Sequence, residues 1–116
     1  MKKLVSKTTV RTYTQYSKTA CALLGGMIRA ARKEHRWTIQ EVAERAGISR
    51  GMLQRIGNGN LKCEIGMVFE IAAVVGIKLF NSEGRTLADQ LQHTKEKLAL
   101  LPKSVRKKPK TVRDDF

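Results

Sequence analysis

The feature that most constrains the fold is a set of helix-boundary signals between Thr38 and Ser49. Thr38 and Glu41 have the spacing of a capping box, in which each side chain bonds the other residue's backbone amide. Gly47 can adopt the positive φ that ends a helix in a sharp turn, and Ser49 can cap a following helix. The sequence therefore predicts two short helices joined by a tight turn.

Apolar spacing predicts which sides of these two helices are buried. Ala43 is small enough for the helices to touch, and Leu53 and Ile56 lie three residues apart on one side of the second helix. Ile48 is expected to fill the angle between the helices. The positions left on the outside of the second helix are Arg50, Gly51, Gln54 and Arg55.

Two further helices are predicted around this pair. The first begins at an N-cap on Ser17 and continues to about residue 35, with Gly25 and Gly26 weakening it but allowing close helix contact. The fourth in chain order ends at Gly76. Its predicted core face consists of Ile65, Val68, Phe69, Ala72 and Val75.

The C-terminal third is predicted to begin with an added amphipathic helix. This helix starts near Thr86 and ends at Pro102, with Leu87, Leu91, Leu98 and Leu101 on one face. The expected organisation is a basic N-terminal arm at 1–16, a folded domain at 17–80, and this helix with a basic disordered tail at 81–116. The arm alternates loosely between apolar and polar residues, so a flexible segment and an ordered strand are both open.

Charge points to a polyanionic partner. The 116 residues include 23 Lys and Arg against 10 Asp and Glu, a net charge of +13, above the magnitude of ~2–8 usual for a small soluble domain. Residues 17–80 alone hold 10 basic and 5 acidic side chains. The folded domain itself is therefore expected to meet phosphate, most often that of nucleic acid.

Composition also excludes several classes. Aromatic residues are only 5%, so an all-α core of aliphatic residues is expected. Cys21 and Cys63 have no ligands at metal spacing, and His35 and His93 fall at a helix end and on an exposed face. We expect no enzyme activity, no metal and no cofactor. Without a signal peptide or an apolar run of ~18 residues, a cytoplasmic location is expected.

Residues 24–77 resemble the Cro/CI (XRE)-type helix-turn-helix domain of phage repressors and bacterial regulators. The resemblance is carried by Leu24, Gly25, Ile28, Arg29, Arg32, Thr38 to Ala43, Ala46 to Ser49, Leu53, Ile56, Gly59, Ile71, Ala72 and Val75 to Ile77. It implies a lambda-repressor-like bundle of four or five helices that binds double-stranded operator DNA at an inverted repeat as a two-fold homodimer.

The resemblance also implies roles for individual residues. Base-reading positions fall on Arg50, Gly51, Met52 and Arg55, with Gln54 as an alternative adenine reader. Phosphate-binding positions fall on Thr38, Ser49, Asn58, Asn60 and Lys62. The arginines suit bidentate bonds to guanine, the methionine could contact a thymine methyl or be half buried, and the glycine permits close approach.

Two positions depart from the pattern of this family. Gly57 stands where an acidic residue usually pairs with the arginine matching Arg32. Removing one half of a buried pair is costly unless the charge is rehydrated or reassigned, so Arg32 is expected to face solvent or DNA, or else to weaken the fold. Cys63 replaces a proline, which removes a helix-start signal and little else.

The chain resembles a particular branch, the HipB-like antitoxins, in the segment after the fourth helix. Its first helix and the stretch from Gly47 to Phe80 also resemble regulators encoded beside HipA-family kinases. The dimers of HipB-like antitoxins pair short strands, and the alternating residues Ile77, Lys78, Leu79 and Phe80 predict such a strand here. This resemblance implies an autoregulator that sequesters a HipA-like kinase toxin. The alternatives are a stand-alone or phage-type repressor and a protein-interaction module with non-specific nucleic-acid affinity.

Overall fold

The computed structural model describes residues 12–80 and 84–107, and within them it contains five α-helices and no β-strand. The helices are α1 (Gln15–Glu34), α2 (Ile39–Ala46), α3 (Arg50–Gly57), α4 (Ile65–Val75) and α5 (Leu87–Leu100). The predicted all-α class is confirmed. Most of the predicted N-terminal arm and the end of the predicted tail lie outside the described residues. No described helix has both the length and the apolarity needed to cross a membrane.

The start of α1 differs from the prediction. Its N-cap is Thr14, whose side-chain oxygen accepts a hydrogen bond from the Ser17 amide at 3.1 Å. Ser17 therefore lies inside the first turn, and the prediction that it caps the helix is wrong. The first turn, Gln15 to Ser17, is largely polar and exposed, so the apolar periodicity that located the helix begins only after it.

Helices α1 to α4 bury a common aliphatic core. Its three most completely buried large side chains are Ile28 from α1, Val42 from α2 and Ile71 from α4. Burial of each stabilises the fold by about 1.5–3 kcal/mol relative to exposure. The other buried apolar residues are Ala43, Leu53, Ile56, Ala72 and Val75. Ala43, Leu53 and Ile56 point inward as predicted.

The buried side of α4 was predicted only in part. Ala72 and Val75 are buried, but Ile65 is 72% exposed and Phe69 is 37% exposed. Ile71, missing from the predicted face, is fully buried. Glu70 is the one charged residue in α4, so apolar residues surround the helix and their spacing does not single out one face.

Helices α1 and α3 approach each other backbone to backbone at Gly25. A Cβ atom on Gly25 would lie 2.5 Å from the Gly57 carbonyl oxygen and 2.7 Å from that of Ile56. The loop after α3 is equally close to α1, because a Cβ on Gly59 would lie 2.9 Å from the Cα of Ala22. The predicted close helix contact is confirmed for Gly25, whereas a Cβ on Gly26 would meet only the end of the Arg29 side chain, at 4.0 Å.

The structure does not support the strand predicted at residues 77–80. Gly76 ends α4 at φ 89°, and the four residues that follow have no regular secondary structure. A strand needs a neighbouring strand to bond its amides and carbonyls, and the described ranges provide none. Within a single chain, the alternation in this segment therefore does not produce a β-strand.

The chain divides into two compact units, Met1–Leu79 and Phe80–Phe116. In the second unit α5 begins with a capping box, since the Asp89 amide donates to the Thr86 hydroxyl at 3.0 Å. The helix ends at Leu100, two residues before Pro102, as predicted. Its leucine face is exposed, with Leu87 and Leu98 each 62% accessible to solvent.

Candidate nucleic-acid interface

The N-terminus of α2 is fixed by the reciprocal bonds that the sequence predicts. The Glu41 amide donates to the Thr38 hydroxyl at 3.0 Å, and the Thr38 amide donates to the Glu41 carboxylate at 2.7 Å. Two amides that a helix start would otherwise leave without protein partners are thereby satisfied. The capping box is confirmed.

The turn between α2 and α3 is equally well determined. Gly47 has φ 71° and ψ 32°, a left-handed conformation that costs other residues roughly 1–2 kcal/mol. The Ile48 amide then donates to the Ala43 carbonyl at 3.0 Å, closing the helix end. Ile48 is half-buried and packs against the core.

Helix α3 begins at Ser49, whose hydroxyl accepts a hydrogen bond from the Met52 amide at 3.1 Å. Leu53 and Ile56 are each 4% exposed and hold the inner side of the helix against the core. The burial of these two side chains determines which side of α3 faces solvent.

The outer side of α3 carries the residues that the sequence assigned to base reading. Arg50, Gly51, Gln54 and Arg55 are exposed, and Met52 is half-buried. The Arg55 guanidinium lies against Met52, with Nη2 3.8 Å from the sulfur, and a Cβ on Gly51 would lie 3.6 Å from Nη1. No residue of α3 is acidic, so this outer face is basic.

The predicted phosphate-binding residues occupy two places around α2 and α3. Thr38 and Ser49 cap the two helices, and each hydroxyl that accepts an amide proton still has its own proton to donate. Beyond α3, the Asn60 side-chain oxygen accepts a hydrogen bond from the Lys62 amide at 2.7 Å, which places these two residues together. Asn58 is the exposed C-cap of α3.

Arg32 has a hydrogen-bond partner that the sequence does not predict. Its Nη1 donates to the Trp37 carbonyl at 2.9 Å. Because position 57 is glycine and cannot supply a carboxylate, the half-buried guanidinium instead bonds this backbone oxygen in the loop before α2. The charge has been reassigned, and the loop between α1 and α2 gains a cross-link.

A stack of three side chains was also not predicted from the sequence. The His35 and Trp37 rings are parallel within 15° at 4.2 Å, and the Arg45 guanidinium lies 4.2 Å from the Trp37 ring centre. The His35 ring nitrogen Nε2 lies 3.1 Å from the Val75 carbonyl, which can only accept. The sequence signal was an aromatic residue directly before a helix cap, but its partners lie on other elements.

The capped α2, the glycine turn and the exposed basic face of α3 together define a helix-turn-helix. Residues 28–80 match the family model described as Helix-turn-helix. This range includes the end of α1 and all of α2, α3 and α4. Comparison with curated proteins and with solved structures gave no match.

Residues 28–80 therefore resemble the helix-turn-helix family in both sequence and local geometry. A domain of this kind suggests a DNA-binding regulator. The match concerns the domain and does not distinguish between the branches that contain it.

Proposed function

We propose that this protein is a transcriptional repressor that binds double-stranded DNA in a sequence-specific manner. The observation that carries the proposal is the outer face of α3, which presents Arg50, Gln54 and Arg55 to solvent with no acidic neighbour on the same helix. Such a helix can enter the major groove while α2 lies across the backbone. The net charge of +13 adds general attraction to DNA.

In this proposal the side chains of α3 read the bases. Arg50 and Arg55 donate paired hydrogen bonds to guanine, and Gln54 is suited to adenine. Gly51 has no side chain and allows α3 to lie close to the base edges. Met52 contacts a thymine methyl with the part of its side chain that is exposed.

The phosphate contacts surround this reading face. Thr38 and Ser49 act at helix N-termini, where the helix dipole and free amides favour an anion. Asn58, Asn60 and Lys62 form the second group, at and beyond the end of α3. These contacts orient the domain on the duplex but carry no sequence information.

The test compares two alanine variants on two kinds of duplex. A preferred sequence is first selected from a randomised duplex pool. Arg55→Ala should lose ~1–3 kcal/mol on that sequence and relax its preference, whereas Lys62→Ala should weaken all duplexes alike. Arg106→Ala removes the same charge from the second unit and serves as the matched control.

Equal losses for Arg55→Ala on selected and random duplexes would contradict the base-reading assignment. If the selection recovered no preferred sequence at all, the alternative of an interaction module with non-specific nucleic-acid affinity would be favoured. The salt dependence of binding should decrease for Lys62→Ala in either case.

We further propose that the protein binds as a homodimer. One reading helix of eight residues contacts only a few base pairs, and a two-fold pair of them recognises an inverted repeat with half-sites ~34–36 Å apart, or a multiple of that spacing. The expectation is a dimer by sedimentation and two protected half-sites in a footprint. A monomer that protects a single half-site would contradict it.

The more specific proposal is an antitoxin that represses its own operon and binds a HipA-like kinase toxin. It is supported by the resemblance of the first helix and of the stretch from Gly47 to Phe80 to such regulators, and it does not use the predicted strand. An adjacent gene encoding a kinase-like protein, and a purified complex of the two, are expected. If no such gene adjoins this one, a stand-alone or phage-type repressor is favoured.

A further inference from the structure

A cleft of about 410 Å³ opens between α1 and the end of α3. Gly57 lies in its wall, and two arginines of α1, Arg29 and Arg32, line it together with the side chains of Gln54 and Asn58. Its volume is within the range of small-molecule pockets, ~300–1,000 Å³. Glycine at position 57 adds no side chain to this space.

The charge of the cleft is not balanced by the residues that line it. None of its lining residues is Asp or Glu. Arg32 uses one nitrogen on the Trp37 carbonyl, so its other guanidinium donors are available to a ligand. Arg29 is exposed, and its stem passes Gly57, since a Cβ there would lie 3.3 Å from the Arg29 Cγ.

The remaining wall is apolar. Ile28, Ile39 and Leu53 contribute it, and they belong to the aliphatic core or pack directly against it. A ligand in this cleft would therefore meet cationic and amide donors on one side and hydrocarbon on the other. This combination fits an anionic group attached to a carbon skeleton better than a bare, strongly hydrated ion.

We propose that this cleft is an oxyanion site that binds a carboxylate or phosphate group between Arg29 and Arg32. The two guanidiniums supply charge-assisted hydrogen bonds, Gln54 and Asn58 supply amide donors, and the apolar wall receives the body of the ligand. The oxyanion can belong to a small molecule or to the DNA backbone. The first source is measured without DNA and does not rest on the proposed function.

The experiment titrates the full chain with benzoate and with inorganic phosphate at constant ionic strength, with chloride as the reference anion. Heat is measured by calorimetry, and the fluorescence of Trp37, the single tryptophan, is followed in parallel. The wild type should bind benzoate saturably and inorganic phosphate more weakly, because only benzoate has a carbon skeleton for the apolar wall. Gly57→Glu should weaken benzoate binding ~10-fold or more, because the new carboxylate occupies the site.

Three further variants control the interpretation. Gly66→Glu makes the same change on α4, where a Cβ meets nothing within 4 Å, and should bind like the wild type. Gly57→Ala narrows the cleft without adding charge and should retain binding. Arg29→Gln removes one cation from an exposed position, so the variant should fold and should bind the anion more weakly. It tests the site if Gly57→Glu does not fold.

A duplex of random sequence identifies the source of the oxyanion. If neither free anion binds, but Gly57→Glu weakens duplex binding clearly more than Gly66→Glu does, the site holds a DNA phosphate. If the free anions do not bind and the two glutamate variants bind duplex equally, the proposal is overturned. It is also overturned if a free anion binds the wild type and Gly57→Glu equally well.

Discussion

The backbone contact between α1 and α3 can be tested with two neighbouring glycines in one helix. Gly25 and Gly26 both lie in the middle of α1, so alanine at either should gain the same helix propensity, ~0.5–1 kcal/mol. They differ in what the new methyl meets. At position 26 the nearest atom is the flexible Arg29 Nη2 at 4.0 Å, whereas at 25 it is the Gly57 carbonyl oxygen at 2.5 Å.

The magnitude follows from the displacement that the Gly25→Ala methyl requires. To reach ordinary van der Waals contact at 3.4 Å, the methyl and the carbonyl must separate by roughly 1 Å. Both atoms are anchored to helical backbone, so whole helices must shift, and overpacking of this kind costs ~1–3 kcal/mol. We expect Gly26→Ala to gain ~0.5–1 kcal/mol and Gly25→Ala to lose ~1–2 kcal/mol net.

Urea unfolding measures the difference directly. Far-UV circular dichroism follows the helices and Trp37 fluorescence follows the core, and coincident transitions establish two-state behaviour. The slope with urea should be the same for both variants, so that the midpoint reports stability alone. The two free energies of unfolding should differ by ~1.5–3 kcal/mol, so the melting temperatures should differ by ~6–24 °C at ~4–8 °C for each kcal/mol in a domain of this size.

The reasoning is refuted if Gly25→Ala is as stable as Gly26→Ala. That result would mean that α1 and α3 are separated by more than the structure places between them, or that they move apart without cost. A loss of stability in both variants would instead indicate that the middle of α1 does not gain from helix propensity.

Three further predictions concern helix ends and the aromatic stack. Thr14→Ala should lower the free energy of unfolding by ~1 kcal/mol and Ser17→Ala by much less, and a larger loss for Ser17→Ala in urea titrations would restore it as the cap. Gly47→Ala should cost ~1–2 kcal/mol because its φ is 71°; an unchanged melting temperature by calorimetry would be inconsistent with that turn. Arg45→Gln should cost ~0.5–1 kcal/mol and change the near-UV spectrum of Trp37, whereas an unaltered spectrum would argue against the stack.

The parts of the fold that were predicted correctly depend on local chemistry. The capping box at Thr38, the left-handed Gly47 and the cap at Ser49 each involve residues a few positions apart, so their spacing is visible in the sequence. The inward positions Leu53 and Ile56 follow from helical periodicity once the helix start is known. The outer face of α3 was identified for the same reason.

The parts that were missed depend on contacts that residue spacing alone does not reveal. The buried side of α4 could not be chosen, because its apolar residues surround the helix and only packing against Ile28 and Val42 selects Ile71. The bond from Arg32 to the Trp37 carbonyl and the position of Arg45 over the Trp37 ring arise from the assembled loop.

The cleft beside Gly57 was likewise predicted only in part. Glycine at position 57 was recognised as a departure, and the loss of a partner for Arg32 was anticipated. The cleft itself was not, because it requires Arg29 of α1 and Asn58 beyond α3 to face one another across the wall at Gly57. Sequence spacing does not relate these elements, since their proximity results from the contact at Gly25.

The glycine contact between α1 and α3 also governs how the outer face of α3 is presented. Two helices separated by side chains can slide or tilt as rotamers adjust, but the Gly25 Cα faces the carbonyls of Ile56 and Gly57 with no rotatable group between them. The angle between α1 and α3 is therefore set by the hard contact of two backbones. In the proposed function such a domain meets a duplex with a preset α3, so the DNA has to accommodate a poorly matched site.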